Sequence, residues 1–130
     1  MVKDYNIDVQ KLFLRMMLTN AELHTRVSNI INPDNFDKSL KPVVSFFKKH
    51  SEDYGVIPDP EQIRATCNIE LEIIPELDKG HFDWFLDEFE KFTRRQELER
   101  AILKSADLLE KGDYDPVEKL IKDAVQISIT

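Results

Sequence analysis

The sequence predicts an all-α protein in which a small helical head is followed by a long, protruding antiparallel helical hairpin. Apolar residues recur at three- and four-residue steps along most of the chain, which is the spacing of one buried helix face. The chain has only three Gly and six Pro, and the prolines stand in predicted turns or in the first turn of a helix. Between residues 81 and 111 nothing interrupts the helical pattern.

The composition limits the classes of function that fit this chain. Its 130 residues suit one domain or a small domain with an appendage, and 42% hydrophobic residues are enough to form a core. The formal net charge is −7, from 18 basic and 25 acidic residues, and no basic patch stands out. Because affinity for phosphate backbones depends on Lys and Arg, we expect no direct, tight binding of nucleic acid.

The N-terminal sequence and the single cysteine indicate a soluble, intracellular protein, which we expect in the cytoplasm. Cys67 has no second cysteine with which to form a disulfide or a Cys-rich zinc site. The first ten residues are too polar for a signal peptide, and no apolar run approaches the ~20 residues of a membrane span. We therefore expect no contact with membranes.

Four short helices are predicted in the head, which covers residues 1–80. Asn6 or Asp8 caps the first helix, and Asn20 caps the second. A third helix runs from about Ser39 to Tyr54, and the fourth begins with a capping box at Asp59. Residues 69–80 are predicted to be irregular or to contain short helical structure, because an isolated strand would have no partner.

The hairpin covers residues 81–130 and consists of one long helix, a short turn and a return helix. The aromatic first part of the long helix is predicted to pack on the head, and the polar segment 93–97 separates it from an aliphatic second part. Gly112 ends the long helix, and Asp115 to Glu118 read as a second capping box. A connection this short predicts antiparallel helices.

Apolar residues on the two arms of the hairpin extend beyond one helix face. Leu98, Ile102 and Leu109 form the predicted seam of the long helix, and Leu103 and Leu108 lie on opposite flanks. Ile127 and Ile129 widen the stripe of the return helix. The sequence therefore predicts a partner-binding or self-association surface, and a hairpin folded against its own head is the alternative. The predicted interface residues are Leu98, Ile102, Leu103, Leu108, Leu109, Leu120, Ile121 and Val125.

No group of residues predicts catalysis, a cofactor or a metal. The three glycines are isolated, so the chain lacks a phosphate-binding loop. His24, His50 and His81 are far apart and are interpreted as surface or helix-end residues. The acidic group at residues 87–90 is interpreted as a solvated surface, and Glu90–Arg94 as an intrahelical ion pair. Cys67 is interpreted as a small buried residue.

The order of these signals resembles the N-terminal domain of DnaB-like replicative DNA helicases, in a phage-type member. The resemblance covers residues 8–128 and rests on the runs Leu14 to Asn20, Val27 to Phe36, Gly55 to Ile63, and Arg94 to Leu98 leading to Tyr114-Asp115-Pro116. The order and spacing of these runs are more specific than any one of them.

The resemblance implies a non-catalytic segment of an ATP-dependent hexameric helicase in DNA replication. In that family the hairpins pair between subunits, and the heads form a collar that contacts primase and, in some systems, a helicase loader. ATP and Mg²⁺ would bind a RecA-like motor domain, whose phosphate-binding loop these 130 residues lack. The alternative is a free-standing helical adaptor, possibly phage-encoded, that binds one unrelated protein. A reading frame that continues into a GxxxxGK[ST] motif would favour the helicase.

Overall fold

A computed structural model describes residues 5–128, which form six α-helices and no strand. The predicted all-α class is therefore confirmed for this part of the chain, whereas Ile129 lies outside it. A 3-10 turn at Pro33–Asn35 connects the second and third helices. The helices are α1 (Ile7–Thr19), α2 (Ala21–Val27), α3 (Lys41–Tyr54), α4 (Pro60–Cys67), α5 (Lys79–Glu110) and α6 (Asp115–Val125).

Three of the predicted helix caps are confirmed. The side chain of Asn6 accepts a hydrogen bond from the backbone N–H of Val9 at the start of α1. Asn20 caps α2 in the same way through the N–H of Glu22. Asp59 and Gln62 exchange the two hydrogen bonds of a capping box at the start of α4. Each cap satisfies backbone donors that the first helical turn leaves without a partner.

The starts of the other three helices differ from the prediction. α3 begins at Lys41 rather than Ser39, because Asp37 accepts hydrogen bonds from the N–H and hydroxyl of Ser39 and holds a turn there. α5 begins at Lys79, two residues early, because Asp78 and His81 form an unpredicted capping box. The capping box predicted at Asp115 is wrong, since that residue already lies in α6.

The core of the head is an aromatic cluster that α5 completes. Phe85, Phe89 and Phe92 are fully buried, and their rings lie 5.3–5.8 Å from the ring of Phe13 in α1. Phe36, after the 3-10 turn, meets Phe92 at 5.2 Å. Edge-to-face and tilted contacts at these distances are favourable beyond the burial of area. The predicted packing of the aromatic part of the long helix on the head is confirmed.

The irregular segment between α4 and α5 is held against α1. The hydroxyl of Thr19 accepts a hydrogen bond of 2.7 Å from the N–H of Ile74, and Arg15 Nε donates one of 2.9 Å to the carbonyl of Glu72. Leu71 is buried in the core. The segment contains no strand, as predicted, and its backbone groups bond to side chains of α1 instead of a β-ladder.

Two residues that were interpreted as surface groups are buried. His24 packs edge-on against Phe47, and burial lowers the pKa of its imidazole. Glu88 faces the head and accepts a 3.0 Å hydrogen bond from the hydroxyl of Tyr5. Burial, together with this hydrogen bond to Glu88, raises the pKa of Tyr5 to about 12. Residue 88 is buried because it lies on the helix face that Phe85 and Phe92 share.

Cys67 is half-buried beside the core rather than fully buried, and burial raises the pKa of its thiol. Within residues 5–128, no helix combines the length and the apolar character that crossing a bilayer requires.

Candidate interaction surface on the C-terminal helix pair

The C-terminal helix pair consists of α6, the second half of α5 from residue 94, and the connection at residues 111–114. The two helices pack against each other. Gly112 adopts a left-handed conformation with φ 76°, which residues other than glycine rarely adopt, and thereby ends α5 as predicted. The N–H of Asp113 bonds to the carbonyl of Leu108, and Arg94 Nε donates to the carbonyl of Ile127.

Small residues form the seam between α5 and α6. Ala101 and Ser105 of α5 and Ala124 of α6 are buried, whereas Leu98 and Leu108 are half-buried. The predicted seam of Leu98, Ile102 and Leu109 is therefore wrong for the last two, which are 58% and 50% exposed. The prediction was based on the spacing of the large side chains and therefore placed them in the seam. Two helix backbones, however, approach each other closely only where the side chains between them are small.

The seam and the head occupy nearly opposite faces of α5. At about 100° per residue, the seam positions are centred about 170° away from the face that carries Phe85, Phe89 and Phe92. One helix therefore serves two contacts, with the head on one face of its first half and α6 on the other face of its second half. The faces between them are left to solvent or to a partner.

The structure places the eight predicted interface residues in two classes. Leu98, Leu108, Leu120 and Ile121 are half-buried in or beside the seam. Ile102, Leu103, Leu109 and Val125 are 58%, 65%, 50% and 51% exposed, respectively. Tyr114 in the connection is also exposed and was not predicted. Four large aliphatic side chains therefore remain uncovered on one short helix pair.

A groove of about 570 Å³ runs along one side of the pair. Leu103 and Leu120 supply large apolar side chains to it, and Arg100, Lys104 and Asp123 supply charges. The remaining lining residues are Glu97, Ala101, Ala124 and Ile127. An apolar floor with a mixed-charge rim is typical of surfaces that bind another protein segment.

A polar joint connects the helix pair to the head through Asn32, Asn35, Gln96, Glu97 and Arg100. Glu97 Oε1 accepts hydrogen bonds from Asn35 at 3.1 Å and from Asn32 at 3.3 Å. Gln96 donates to the carbonyl of Asn35 at 2.8 Å, and Arg100 forms a 2.8 Å ion pair with Glu97. The joint orients α5 relative to the 3-10 turn.

The polar joint was missed by the sequence prediction, which placed a gap between two contact zones at residues 93–97. The only signal was the Asn-rich turn at residues 32–35, which was interpreted as the end of a helix. The predicted Glu90–Arg94 ion pair is absent among the ion pairs of residues 5–128, because Arg94 reaches the carbonyl of Ile127 instead.

The described residues contain no group of three or more His, Cys, Asp or Glu side chains arranged to hold a metal ion. Comparisons of the chain with protein-family models, with curated proteins and with solved structures each found no match. The interpretation of the surface therefore depends on its own geometry and chemistry.

Proposed function

We propose that this chain is the non-catalytic N-terminal oligomerisation and docking domain of a DnaB-like hexameric replicative helicase, and that it self-associates through a protruding antiparallel hairpin. The observation that carries the proposal is the group of exposed aliphatic side chains on the C-terminal helix pair. The resemblance to the helicase family supplies the biological context, and the exposed surface supplies the physical reason for association.

Three of the four exposed aliphatic side chains, those of Ile102, Leu109 and Val125, share one side of the hairpin. Ile102 follows buried Ala101 by one residue, and Val125 follows buried Ala124 by one residue. Each is therefore turned by about 100° in the same rotational sense from the seam. In an antiparallel pair, two positions that are turned by the same angle and in the same rotational sense from the seam, one on each helix, lie on the same side of the pair. Ile102 and Val125 then lie on one face.

This apolar flank contains Ile102, Ala106, Leu109, Ile121 and Val125. The three residues from α5 lie within about 60° of one another around the helix, so they form a continuous strip. Leu103 points about 90° further around the helix, away from the strip. Of the eight predicted interface residues, Ile102, Leu109, Ile121 and Val125 therefore lie on the flank, and Leu103 and Leu120 line a groove on the other side. Leu98 and Leu108 are half-buried in or beside the seam.

The energetics favour covering this flank. Full burial of one Leu, Ile or Val side chain is worth about 1.5–3 kcal/mol relative to exposure. Single exposed aliphatic residues are ordinary, but a contiguous group on a small domain marks a contact surface. The alternative of a hairpin folded against its own head would have to bury these residues, which are exposed instead.

The mechanism would be geometric rather than chemical. Paired hairpins would fix the distance between subunits, and the polar joint would transmit that spacing to the heads. In the helicase family such heads complete a collar on the hexamer, where primase and a helicase loader bind. Primase and loader are therefore the partners we propose, and ATP and Mg²⁺ would act in the motor domain.

The test is the molar mass of the chain in solution, measured by sedimentation equilibrium up to high micromolar concentration. Wild type is expected to self-associate, and Ile102→Glu or Leu109→Glu is expected to be monomeric with unchanged helical content. Leu103→Glu is the matched control, because Leu103 is at least as exposed but faces away from the flank. A monomeric wild type, or equal loss in the control, would overturn the proposal.

A second candidate, the free-standing adaptor, is favoured by the groove that contains Leu103 and Leu120. A single partner helix would lay apolar residues into this groove. A wild type that stays monomeric at every concentration would favour the adaptor over the helicase domain.

A further inference from the structure

We infer that residues 69–73 form an open β-edge, to which another protein adds an extended segment that carries Lys and Arg side chains. These five residues, Ile69-Glu70-Leu71-Glu72-Ile73, lie between α4 and α5 and are called the edge segment below. The edge segment is separate from the C-terminal helix pair, on which the proposed self-association depends.

Apolar and acidic residues alternate along the edge segment, which is the pattern of a half-buried β-strand. The burial follows the alternation at four positions, since Leu71 is buried and Ile69 is half-buried against the core, whereas Glu70 and Glu72 are exposed. Residues 69–74 contain no helix, turn or bend, so their backbone is extended. No strand elsewhere in residues 5–128 pairs with it. A strand-like segment therefore stands without a partner strand.

Side chains of α1 hold one edge of this backbone. The carbonyl of Glu72 accepts a hydrogen bond from α1, and the N–H of Ile74 donates one to α1. In an extended chain the N–H and C=O of one residue point to the same edge, and those of the next residue point to the opposite edge. Glu72 and Ile74 are two positions apart and therefore share the edge that faces α1. Leu71 and Ile73 present their backbone groups on the opposite edge.

The opposite edge is open. The backbone groups of Ile69, Leu71 and Ile73 form no hydrogen bond with any other group in the described part of the chain. A groove of about 350 Å³ lies between the edge segment and α4, and none of its lining residues belongs to α1. An extended edge with free donors and acceptors is the usual template for an added strand. The groove gives such a strand room.

The charge of the groove favours a basic occupant. Three carboxylates, those of Glu61, Glu70 and Glu72, and the guanidinium of Arg64 line it. None of these four groups forms an ion pair within residues 5–128. An added segment with Lys or Arg at alternate positions would pair with the carboxylates. Its apolar residues would contact Ile73, which is 55% exposed.

The same carboxylates disfavour a second copy of this chain as the occupant. Two edge segments that paired with each other would bring Glu70 and Glu72 of one copy beside those of the other. Like charges opposite each other on neighbouring strands are destabilising. Pro75, which follows the segment, also limits the length of the edge. A basic segment meets no such repulsion, so the edge discriminates between the two occupants.

The test uses the 130-residue chain and, as the probe, a capped seven-residue peptide in which lysine and valine alternate. The probe is expected to bind and to slow the exchange of the amide protons of Leu71 and Ile73 with solvent, as measured by NMR. The amide of Ile74 is the internal control, because it already donates to α1. A peptide with glutamate in place of lysine is expected not to bind.

A second peptide separates backbone pairing from charge attraction. An analogue of the probe with all backbone amides N-methylated keeps its charges but has no backbone donor. It is expected to bind more weakly by at least on the order of tenfold, because each lost hydrogen bond weakens the complex. Equal binding of this analogue would show that charge alone attracts the probe.

A matched pair of variants tests the same edge from the side of the protein. Ile73→Pro removes one N–H from the open edge and is expected to weaken probe binding by on the order of tenfold. Ile73→Val keeps the N–H and is expected to bind within about twofold of wild type. If Ile73→Pro disturbs the fold, the N-methylated analogue still decides the question.

Three results would each overturn the inference, namely no binding of the probe, equal binding of its N-methylated analogue, or unchanged exchange at Leu71 and Ile73. None of them bears on the molar mass of the chain, which tests the proposed self-association. Failure of the one proposal is therefore distinguishable from failure of the other.

Discussion

The head and the C-terminal helix pair bury their contacts in different ways, although α5 belongs to both. Against the head, α5 places three fully buried phenylalanines around Phe13. Against α6 it places Ala101 and Ser105, and Ile102 and Leu109 remain exposed. The head and the first half of α5 therefore bury most of their large apolar side chains against each other, although Tyr54, Val56 and Ile73 of the head are exposed. The helix pair buries only small side chains fully and leaves several large ones exposed.

Because of this difference, the stability of the fold and its self-association are expected to depend on different regions of the chain. Most of the hydrophobic free energy of the described chain comes from large side chains of the head and of the first half of α5. The helix pair has a narrow seam of small residues, and its larger side chains would be buried only in a complex. Substitutions in the two regions are therefore expected to affect different measurements, namely the free energy of unfolding for the head and the molar mass for the pair.

The largest expected effect is the loss of stability from Phe89→Ala. Phe89 is fully buried and contacts the rings of Phe13, Phe36 and Phe85. Removal of such a side chain costs about 3–5 kcal/mol, because it leaves a cavity. Denaturant unfolding measures the change. Leu109→Ala is the matched truncation in the pair and is expected to change the stability of the monomer by less than about 0.5 kcal/mol. Equal losses would abolish the contrast between the two regions.

A smaller effect is expected at the polar joint, which connects the two regions. Asn35 is buried, donates to Glu97 and accepts from Arg100. Asn35→Ala leaves these charged partners partly unsatisfied and is expected to cost about 1–3 kcal/mol in denaturant unfolding. Asn29→Ala is the control, because Asn29 makes one exposed hydrogen bond, to the carbonyl of Ser128. If Asn35→Ala leaves the free energy of unfolding unchanged, the joint does not hold α5 against the head.

Local features of the fold were predictable from the sequence. Asn6, Asn20 and Asp59 act as caps within three residues of their acceptor or donor partners, so neighbouring residues alone carry the information. The aromatic part of α5 was also assigned correctly to the core, because phenylalanines at three- and four-residue spacing form one apolar helix face, which is usually buried. The left-handed Gly112 marked the end of α5 for the same local reason.

Features set by distant residues were not predictable. Glu88 is buried against Tyr5, which lies 83 residues away in sequence. The polar joint brings residues 32–35 to residues 96–100, and neither segment alone indicates a contact. The face of α5 that meets α6 was predicted wrongly. Which face a helix turns towards its neighbour depends on the neighbouring helices, whereas the spacing of residues along one helix shows only where its large apolar side chains lie. The interface itself stays a prediction.

The smallest expected effect compares one buried hydroxyl from each region. Ser105 Oγ, in the seam, and Thr93 Oγ1, at the head, are buried and have no hydrogen-bond partner among the described residues. Ser105→Ala and Thr93→Val remove these buried polar atoms and are each expected to stabilise the chain by about 1 kcal/mol. Thr19→Val is the control with the opposite sign, because the Thr19 hydroxyl donates to the carbonyl of Arg15 and accepts from Ile74. The shift in unfolding midpoint measures all three. If Ser105→Ala destabilises the chain while Thr93→Val stabilises it, the seam is not the dry contact between small residues that distinguishes the helix pair from the head.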